Sequence, residues 1–314
     1  MEQIGNIHVV QNQYSLEHAG KKRQRVHRQR YTELRESQYG SRVSSESRII
    51  ATSKHPEETI EKIAKRYSPG DVIALLMGDG GLHDFTNGIA RYATDPALKA
   101  ARLLVLDGGF ANDGARQLHS KHALKRPSTI LDRNLTIDFA PLRWEFGPDQ
   151  GIDVRLANLY GSLGASARVA QAISEEGNRQ WAGDNWFKKA WITRTTAREI
   201  PCMPITLSAK GPCHEMYDIG FANGSHMSGF GGAFPVSLEE DRSYQYETVN
   251  PRYILAGMRL ALGNTPGTFR SAPCTLGLPR GGAVQLDGEA WLLPEDTSVT
   301  VSQHDEKFTV FASR

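Results

Sequence analysis

A continuous apolar run followed at once by a glycine-rich turn occupies residues 72–81, which read VIALLMGDGG. Six consecutive apolar side chains at 72–77 are typical of a strand buried on both faces of a parallel sheet. The three glycines that follow let the backbone turn tightly and approach a ligand closely. Residues 82–93 have helical spacing, and the N-terminus of such a helix attracts anions. The stretch therefore predicts a phosphate-binding turn, with a plain tight turn as the alternative.

A second glycine-bearing loop follows the next predicted strand, at residues 103–106. It reads DGGFAND over residues 107–113, and a helix is predicted from Ala115. Ligands of open α/β sheets bind beyond the carboxyl ends of the strands, so loops after two consecutive strands would face one crevice. Neither loop has the Walker A or the G-x-G-x-x-G spacing. The alternation of strands and helices to about residue 125 predicts a doubly wound α/β domain with a mostly parallel sheet.

The N-terminal part of the chain adds two strands and two helices to this domain. Short apolar runs at 7–10 and 49–53 predict the strands, and the spacing over 56–66 predicts a helix. Residues 21–30 hold six basic side chains and predict a helix with a basic surface. That surface either contacts anionic lipid head groups, at about 1 kcal/mol per residue, or is a solvated face. Nucleic acid is a poorer partner, because Tyr31 is the one adjoining aromatic side chain for base stacking.

The sequence pattern changes near residue 126, where helical periodicity gives way to short strand-like runs between turn residues. These runs lie at 129–131, 135–139, 152–158, 203–208, 216–222, 245–249, 274–278, 283–286, 298–301 and 308–311. Two helices interrupt them, at about 166–176 and 251–262. We therefore predict an α/β domain over 1–126 and a mostly antiparallel β-sandwich domain over 127–314.

The composition is that of an ordinary globular protein of 314 residues with 39% hydrophobic side chains and a formal net charge of +2. The three cysteines, Cys202, Cys213 and Cys274, show neither zinc-ligand nor disulfide spacing, which fits a reducing cytoplasm. The longest apolar run has six residues, far short of the roughly 20 that a membrane span needs. We expect a cytoplasmic protein whose membrane contact, if any, is peripheral; a homodimer is left open. No zinc-protease or hydrolase motif is present.

A third feature lies near the C-terminus, where residues 286–289 read LDGE. Asp-Gly is a strong turn pair, so Asp287 and Gly288 predict a β-hairpin. The functional alternative is a carboxylate, from Asp287 or Glu289, that takes a proton from a hydroxyl group or lies near a metal ion.

In this order, the three segments resemble the diacylglycerol kinase catalytic-domain family, which includes bacterial lipid kinases and sphingosine kinases. Residues 77–88, MGDGGLHDFTNG, are similar to the family's G-G-D-G-T-L-N-E-V-x-N-G motif. Residues 108–116, GGFANDGAR, are similar to its L-G-T-G-N-D-x-A-R motif, and 286–289 match its terminal D-G-E. Weaker similarity at Asn12, at 158–164 and at Asn223 extends the resemblance over most of the chain.

The resemblance implies an ATP-dependent lipid kinase that uses Mg²⁺ and has its active site between the two domains. The implied nucleotide-binding residues are Asn12, Gly78, Gly80, Gly81, Gly109, Asn112 and Asp113. Asp79, Asp287 and Glu289 are the implied catalytic residues, with Glu289 as base on the lipid hydroxyl and Asp287 shaping its turn. Asp241 is the implied metal ligand. The implied partner is a lipid substrate met at the membrane surface, and no nucleic acid is expected.

Several positions depart from the family motifs. Met77 replaces the first glycine, Gly81 replaces a threonine whose hydroxyl would meet phosphate, and Phe110 replaces a small residue. Gln245 stands where a second acid would follow Asp241. Loss of one phosphate donor can cost about 2–4 kcal/mol of transition-state stabilisation. Two alternatives therefore stay open: a weak or non-catalytic nucleotide- or lipid-binding protein on this fold, and an NAD-kinase-like enzyme.

Overall fold

The protein, seen in a computed structural model, forms two compact units: Met1–Ala140 with Glu306–Arg314, and Pro141–Asp305. The structure describes residues 4–12, 21–43, 48–51, 55–108, 112–147, 153–175, 177–178, 181, 186–199, 203–207, 213–226, 234–248 and 267–313. The boundary predicted after residue 126 falls inside the first unit. The chain also returns to that unit at its C-terminal end, which no local pattern indicated.

A six-stranded sheet is the centre of the first unit in the described ranges, in the order β2-β1-β3-β4-β18-β5. Its strands are β1 (Ile7–Asn12), β2 (Arg48–Ala51), β3 (Val72–Met77), β4 (Arg102–Asp107), β5 (Thr136–Phe139) and β18 (Phe308–Phe311). All neighbouring pairs are parallel except β18 with β5. The prediction of an α/β domain with a mostly parallel sheet is confirmed.

The central strands of this sheet are buried, as is usual in parallel sheets. Every residue of β3 is buried, as the apolar run predicted, because helices connect the parallel strands and cover the faces of the sheet. The helices of this unit are α1 (Lys21–Glu36), α2 (Pro56–Ala64), α3 (Asp79–Tyr92), α4 (Pro96–Lys99), α5 (Asp113–Leu118), α6 (Lys121–Lys125) and α7 (Pro127–Arg133). Leu34 of α1 shares one core with Ala74, Leu76 and Leu104 of the sheet.

The predicted basic helix exists as α1, but its inner face is anchored to the end of β4. The guanidinium of Arg30 donates to both carboxylate oxygens of Asp107, at 2.7 and 3.1 Å. His27 Nε2 donates to the carbonyl oxygen of Gly108 at 2.6 Å. Arg25 and Arg28 remain exposed. The basic surface is therefore narrower than the sequence indicated, because part of the charge fixes the helix to the sheet.

Two strand predictions need correction. Residues 129–131, predicted as a strand, lie in α7, which has Pro127 in its first turn and buries Ile130 and Leu131. Proline is well suited to that position because its fixed φ is helical and its missing N–H is not needed there. Residues 308–311 form a strand as predicted, but this strand joins the first unit's sheet and not the sandwich. The helix predicted at 251–262 lies outside the described residues.

The second unit is a sandwich of two antiparallel sheets, as predicted. Within the described ranges, one sheet has the order β10-β9-β14-β17-β6-β7 and the other β13-β12-β11-β8-β15-β16. The strands are β6 (Leu142–Gly147), β7 (Asp153–Ala157), β8 (Tyr160–Gly164), β9 (Met203–Leu207), β10 (Cys213–Met216), β11 (Asp218–Ala222), β12 (Ser243–Thr248), β13 (Gly267–Arg270), β14 (Cys274–Leu278), β15 (Gly282–Leu286), β16 (Glu289–Leu293) and β17 (Thr297–Gln303). The two sheets share one apolar core, in which Trp144 and Phe221 meet edge to face at 5.7 Å.

Two helices, α8 (Ala165–Ser174) and α9 (Trp186–Glu199), pack against each other in this unit. The sequence predicted α8 but missed α9, because α9 places large aromatic side chains on its exposed side, where no apolar periodicity results. No helix in the part of the chain that the structure describes is both long and apolar enough to cross a membrane.

Candidate functional site

The two glycine-bearing segments leave the sheet side by side. β3 and β4 are adjacent and parallel, and their last residues, Met77 and Asp107, are register partners. Gly78 and Gly108 follow directly, at the carboxyl edge where open α/β sheets bind ligands. Both segments therefore begin at one edge of the sheet, and the shared crevice stays a prediction.

The first segment is the first turn of a helix and not a loop. α3 begins at Asp79, with Gly78 in extended conformation as its N-cap. The first bond within the helix runs from the N–H of Leu82 to the carbonyl oxygen of Gly78, at 2.9 Å. The N–H groups of Gly80 and Gly81 precede that bond and lie at the positive end of the helix dipole. The N-terminus of a 14-residue helix at a sheet edge can bind phosphate.

Asp79 joins this turn to the second segment. One oxygen of its buried carboxylate accepts the N–H of Asp113 and the other accepts the N–H of Gly114, both at 3.0 Å. These donors belong to the first turn of α5, so Asp79 acts as an N-cap supplied from a neighbouring element. A carboxylate bound to two backbone N–H groups makes strong charge-assisted hydrogen bonds. Asp79 therefore fixes the N-termini of α3 and α5 relative to each other.

Asn112 closes the second segment. It adopts a left-handed conformation with φ 53°, and its Oδ1 accepts the N–H of Gly108 at 3.0 Å. Asparagine tolerates this conformation better than most residues because its short side chain bonds to local backbone groups. Asp113 follows as a fully buried first residue of α5. The predicted contact residue Gly109 lies outside the described residues.

The two departures in the first motif are in contact with each other. A Cβ atom added at Gly81 would lie 2.9 Å from Cβ of Met77, 3.1 Å from its Sδ and 3.2 Å from its Cγ. The side chain of Met77 thus fills the space that a side chain at position 81 would need. Met77 and Gly81, the two positions at which this segment differs from the motif it resembles, are therefore sterically coupled.

We expect Gly81→Thr to lower the free energy of unfolding by about 1–3 kcal/mol, because the new Cβ overlaps buried Met77. Urea unfolding of Gly81→Thr, Met77→Gly and the double variant measures the coupling. Removal of the methionine side chain makes room for threonine, so the double variant should be more stable than the sum of the single effects by about 1–3 kcal/mol. Strict additivity would contradict the contact. Gly147→Ala is the control, since a Cβ there meets no atom within 4 Å.

The predicted hairpin at residues 286–289 is confirmed, and it uses Asp287 as an anchor. Asp287 and Gly288 have φ of 49° and 92°, the positive values that a tight turn between β15 and β16 needs. The buried carboxylate of Asp287 accepts the backbone N–H groups of Asn158, Leu159 and Tyr160 at 2.7, 2.9 and 3.2 Å. It also accepts Nδ2 of Asn158 at 3.3 Å. Asp287 therefore holds the turn between β7 and β8.

Glu289, the predicted base, is placed differently from Asp287. It is the first residue of β16, opposite Leu286 in the hairpin, and its side chain is exposed. Asp241, the predicted metal ligand, is also exposed, before β12. Asn12, a predicted nucleotide-binding residue, ends β1 beside Ala51 of β2. Within the described ranges, no three His, Cys, Asp or Glu side chains are grouped so that they could hold a metal ion.

A buried carboxyl that the sequence did not indicate lies at the start of β11. Asp218 Oδ1 accepts the N–H of Ser166 at 3.1 Å and its hydroxyl at 2.8 Å. The chain of bonds continues through Ser162 Oγ to Nε2 of Gln285, at 2.6 and 2.9 Å. Burial raises the pKa of Asp218 to about 7, although the bonds from Ser166 lower it. No local motif marks this network, because its members come from four separate elements.

Asp218→Asn should change how stability depends on pH. The native carboxyl with a pKa of about 7 is protonated at pH values where the unfolded carboxyl, near 3.8, is already ionised. Its contribution to stability is therefore complete below about pH 4 and is lost as pH rises towards 7. The side chain of asparagine does not ionise, so this loss is absent in the variant. Relative to the native protein, its free energy of unfolding should therefore rise by up to about 4 kcal/mol between about pH 4 and pH 7. Urea unfolding at a series of pH values measures the difference; parallel curves would refute it.

Several solved structures of kinases are similar to this protein. The structure is similar to a "putative diacylglycerol kinase" from Bacillus anthracis strain Sterne, with a TM-score of 0.67 and 13% identity over 100% of this chain and 99% of that one. A diacylglycerol kinase structure from the same strain aligns with a TM-score of 0.64 and 12% identity, over 100% and 98%. Yeast NADH kinase with NADH aligns with a TM-score of 0.54 and 10% identity, over 99% and 84%.

No family model and no curated protein matches the sequence. At identities of 10–13%, the likeness to these structures establishes the fold alone. The fold that the three motifs implied is confirmed, and this chain has the fold of the diacylglycerol kinase and NADH kinase structures.

Proposed function

We propose that this protein is an ATP-dependent kinase that transfers the γ-phosphoryl group to a lipid hydroxyl at a membrane surface. One observation carries the proposal: Asp79 joins the N-termini of α3 and α5, which follow two neighbouring strands of a parallel sheet. Phosphoryl transfer depends mainly on positioning and on stabilising charge. The N-terminus of α3 supplies donors for phosphate, and Asp79, held by the first turn of α5, keeps that N-terminus in position. The higher TM-score with the diacylglycerol kinase structures than with NADH kinase, together with the D-G-E hairpin, favours a lipid acceptor over a dinucleotide.

Each group has a proposed role. The N–H groups of Gly80 and Gly81 bind phosphate oxygens of ATP, and Asp79 positions that turn. In the transfer step, the acceptor oxygen bonds to the γ-phosphorus while the bond from the γ-phosphorus to the β–γ bridging oxygen breaks. Glu289 receives the proton of the lipid hydroxyl, and ADP leaves. Asp287 orients Glu289 by fixing the turn that precedes it.

Mg²⁺ would neutralise charge on the phosphates when bound. Magnesium in kinases is held largely by phosphates and water with one or two carboxylates, so a three-carboxylate set is not required. Both oxygens of Asp79 already bond to backbone N–H groups, which makes Asp79 a poor candidate for direct coordination. Asp241 stays the predicted ligand.

A second candidate is a protein that binds nucleotide or lipid without transferring phosphate. The contact between Met77 and the space beside Gly81 favours it, because the hydroxyl donor that the family places there is missing. An NAD-kinase-like activity is a third candidate, since yeast NADH kinase has a similar fold.

Radiolabelled ATP separates these candidates. The kinase proposal predicts labelled product with diacylglycerol, a sphingoid base or another lipid alcohol dispersed in detergent, and none with NAD or NADH. Nucleotide binding by calorimetry without transfer to any acceptor would support the binding protein instead. Label on a dinucleotide would support the third candidate. Glu239→Gln, which removes one exposed acidic charge, is the control for Glu289→Gln and should transfer label as the native protein does.

A further inference from the structure

The outer side of α9 exposes two large aromatic side chains. Phe187 is 79% exposed and Trp191 is 59% exposed. They are four residues apart, so they lie on the same side of the helix, and exposed Arg194 continues that row. Ile192, one position further on, is buried and marks the inward side. The aromatic row is therefore the solvent side of α9 and not part of a core.

A third aromatic side chain is tied to this row. Trp181 is 49% exposed, and the ammonium group of Lys188 lies 4.9 Å from the centre of its ring. Lys188 Nζ also donates to the carbonyl oxygen of Trp181, at 2.8 Å. We call Trp181, Phe187, Lys188, Trp191 and Arg194 the α9 patch. Several large aromatic side chains exposed together are unfavourable in water, and such a group usually marks an interaction surface.

The chemistry of the α9 patch fits a lipid bilayer better than another protein. α9 contains Lys188, Lys189, Arg194 and Arg198 against one acid, Glu199. Tryptophan and phenylalanine beside basic residues are typical of helices that lie in the interface of anionic membranes. Protein interfaces are also enriched in aromatic side chains and arginine, but they are depleted in lysine, which this helix contains twice. The excess positive charge of α9 is complementary to anionic head groups.

We propose that the α9 patch docks this protein on an anionic lipid bilayer. The aromatic side chains enter the head-group region, and Lys188 and Arg194 contact anionic head groups. The inference rests on the proposed lipid kinase function and names the surface by which the enzyme would reach its substrate.

Co-sedimentation with phosphatidylcholine vesicles, with and without phosphatidylglycerol, tests the proposal on the full chain. The native chain should bind the anionic vesicles more tightly. The double variant Phe187→Ser, Trp191→Ser should bind them about tenfold or more weakly, because two apolar side chains no longer enter the interface. The matched control is Leu135→Ser, Leu292→Ser, which removes two leucines, each 52% exposed, and should bind as the native chain does. Equal binding by both double variants would overturn the proposal.

Single charge variants test the electrostatic part without removing aromatic surface. Arg194→Gln should weaken binding to anionic vesicles about fivefold and leave binding to neutral vesicles unchanged. Arg25→Gln removes another exposed charge, from α1, and should have no effect. If Arg25→Gln weakens binding and Arg194→Gln does not, the bilayer meets α1, and the α9 patch is refuted.

Self-association is the competing outcome, and light scattering after size exclusion detects it. A native dimer that becomes monomeric in Phe187→Ser, Trp191→Ser, with no vesicle binding by either, would overturn the proposal. Transfer to a lipid alcohol in detergent, measured separately, should be the same for native protein and double variant. Failure of that transfer in the native protein would count against the kinase function, while vesicle binding would still decide the role of the α9 patch.

Discussion

Replacing Asp79 by alanine is expected to lower the free energy of unfolding by about 2–4 kcal/mol and to abolish phosphoryl transfer. The carboxylate of Asp79 accepts two backbone N–H groups at 3.0 Å, and alanine leaves both buried donors without it. The N-termini of α3 and α5 then lose their common anchor, so phosphate oxygens no longer meet a fixed set of donors. Urea unfolding and a radiolabelled ATP assay, run where the variant is still folded, measure the two effects.

Asp95→Ala is the matched control for the loss of a cap. Asp95 also caps a helix, since its side chain accepts the N–H of Ala97 at 2.9 Å, but this bond is exposed. We expect Asp95→Ala to lower the free energy of unfolding by about 0.5–1 kcal/mol and to leave phosphoryl transfer unchanged. Equal effects of Asp79→Ala and Asp95→Ala on stability, with transfer retained in both, would show that the bridge between α3 and α5 is not needed.

Replacing Asp287 by alanine should have the largest effect on stability, about 3–5 kcal/mol. Its carboxylate accepts three backbone N–H groups of residues 158–160 and the side-chain amide of Asn158. All of these donors are buried, and alanine offers them no acceptor. Thermal unfolding followed by circular dichroism should show a lower midpoint. A midpoint close to that of the native protein would mean that water replaces the carboxylate.

Glu289→Gln, two residues further on, should behave in the opposite way. Glu289 is exposed, so the free energy of unfolding should change by no more than about 0.5 kcal/mol. If Glu289 accepts the proton of the lipid hydroxyl, turnover should fall about a hundredfold or more with little change in ATP affinity. Unfolding of the Glu289→Gln variant, or unchanged turnover, would remove the basis for its proposed role.

Short motifs identified the candidate functional residues but not the partners of their carboxylates. The glycine-rich turn, the Asn112–Asp113 pair and the D-G-E hairpin were found from the sequence because each lies within a few consecutive residues. The partners of their carboxylates could not be found in this way. Asp79 bonds to residues 34 and 35 positions away, and Asp287 bonds to a backbone turn up to 129 positions away.

The sequence by itself determined the class of both units. Unbroken apolar runs with helices between them predict a parallel sheet, and short strand-like runs between turn residues predict an antiparallel sandwich, because these patterns are local. Only the tertiary structure decided that β18 completes the first sheet, that Arg30 and His27 fix α1 to β4, and that α9 turns Phe187 and Trp191 outward. Each of these depends on contacts between distant segments, whose free energy no local pattern encodes.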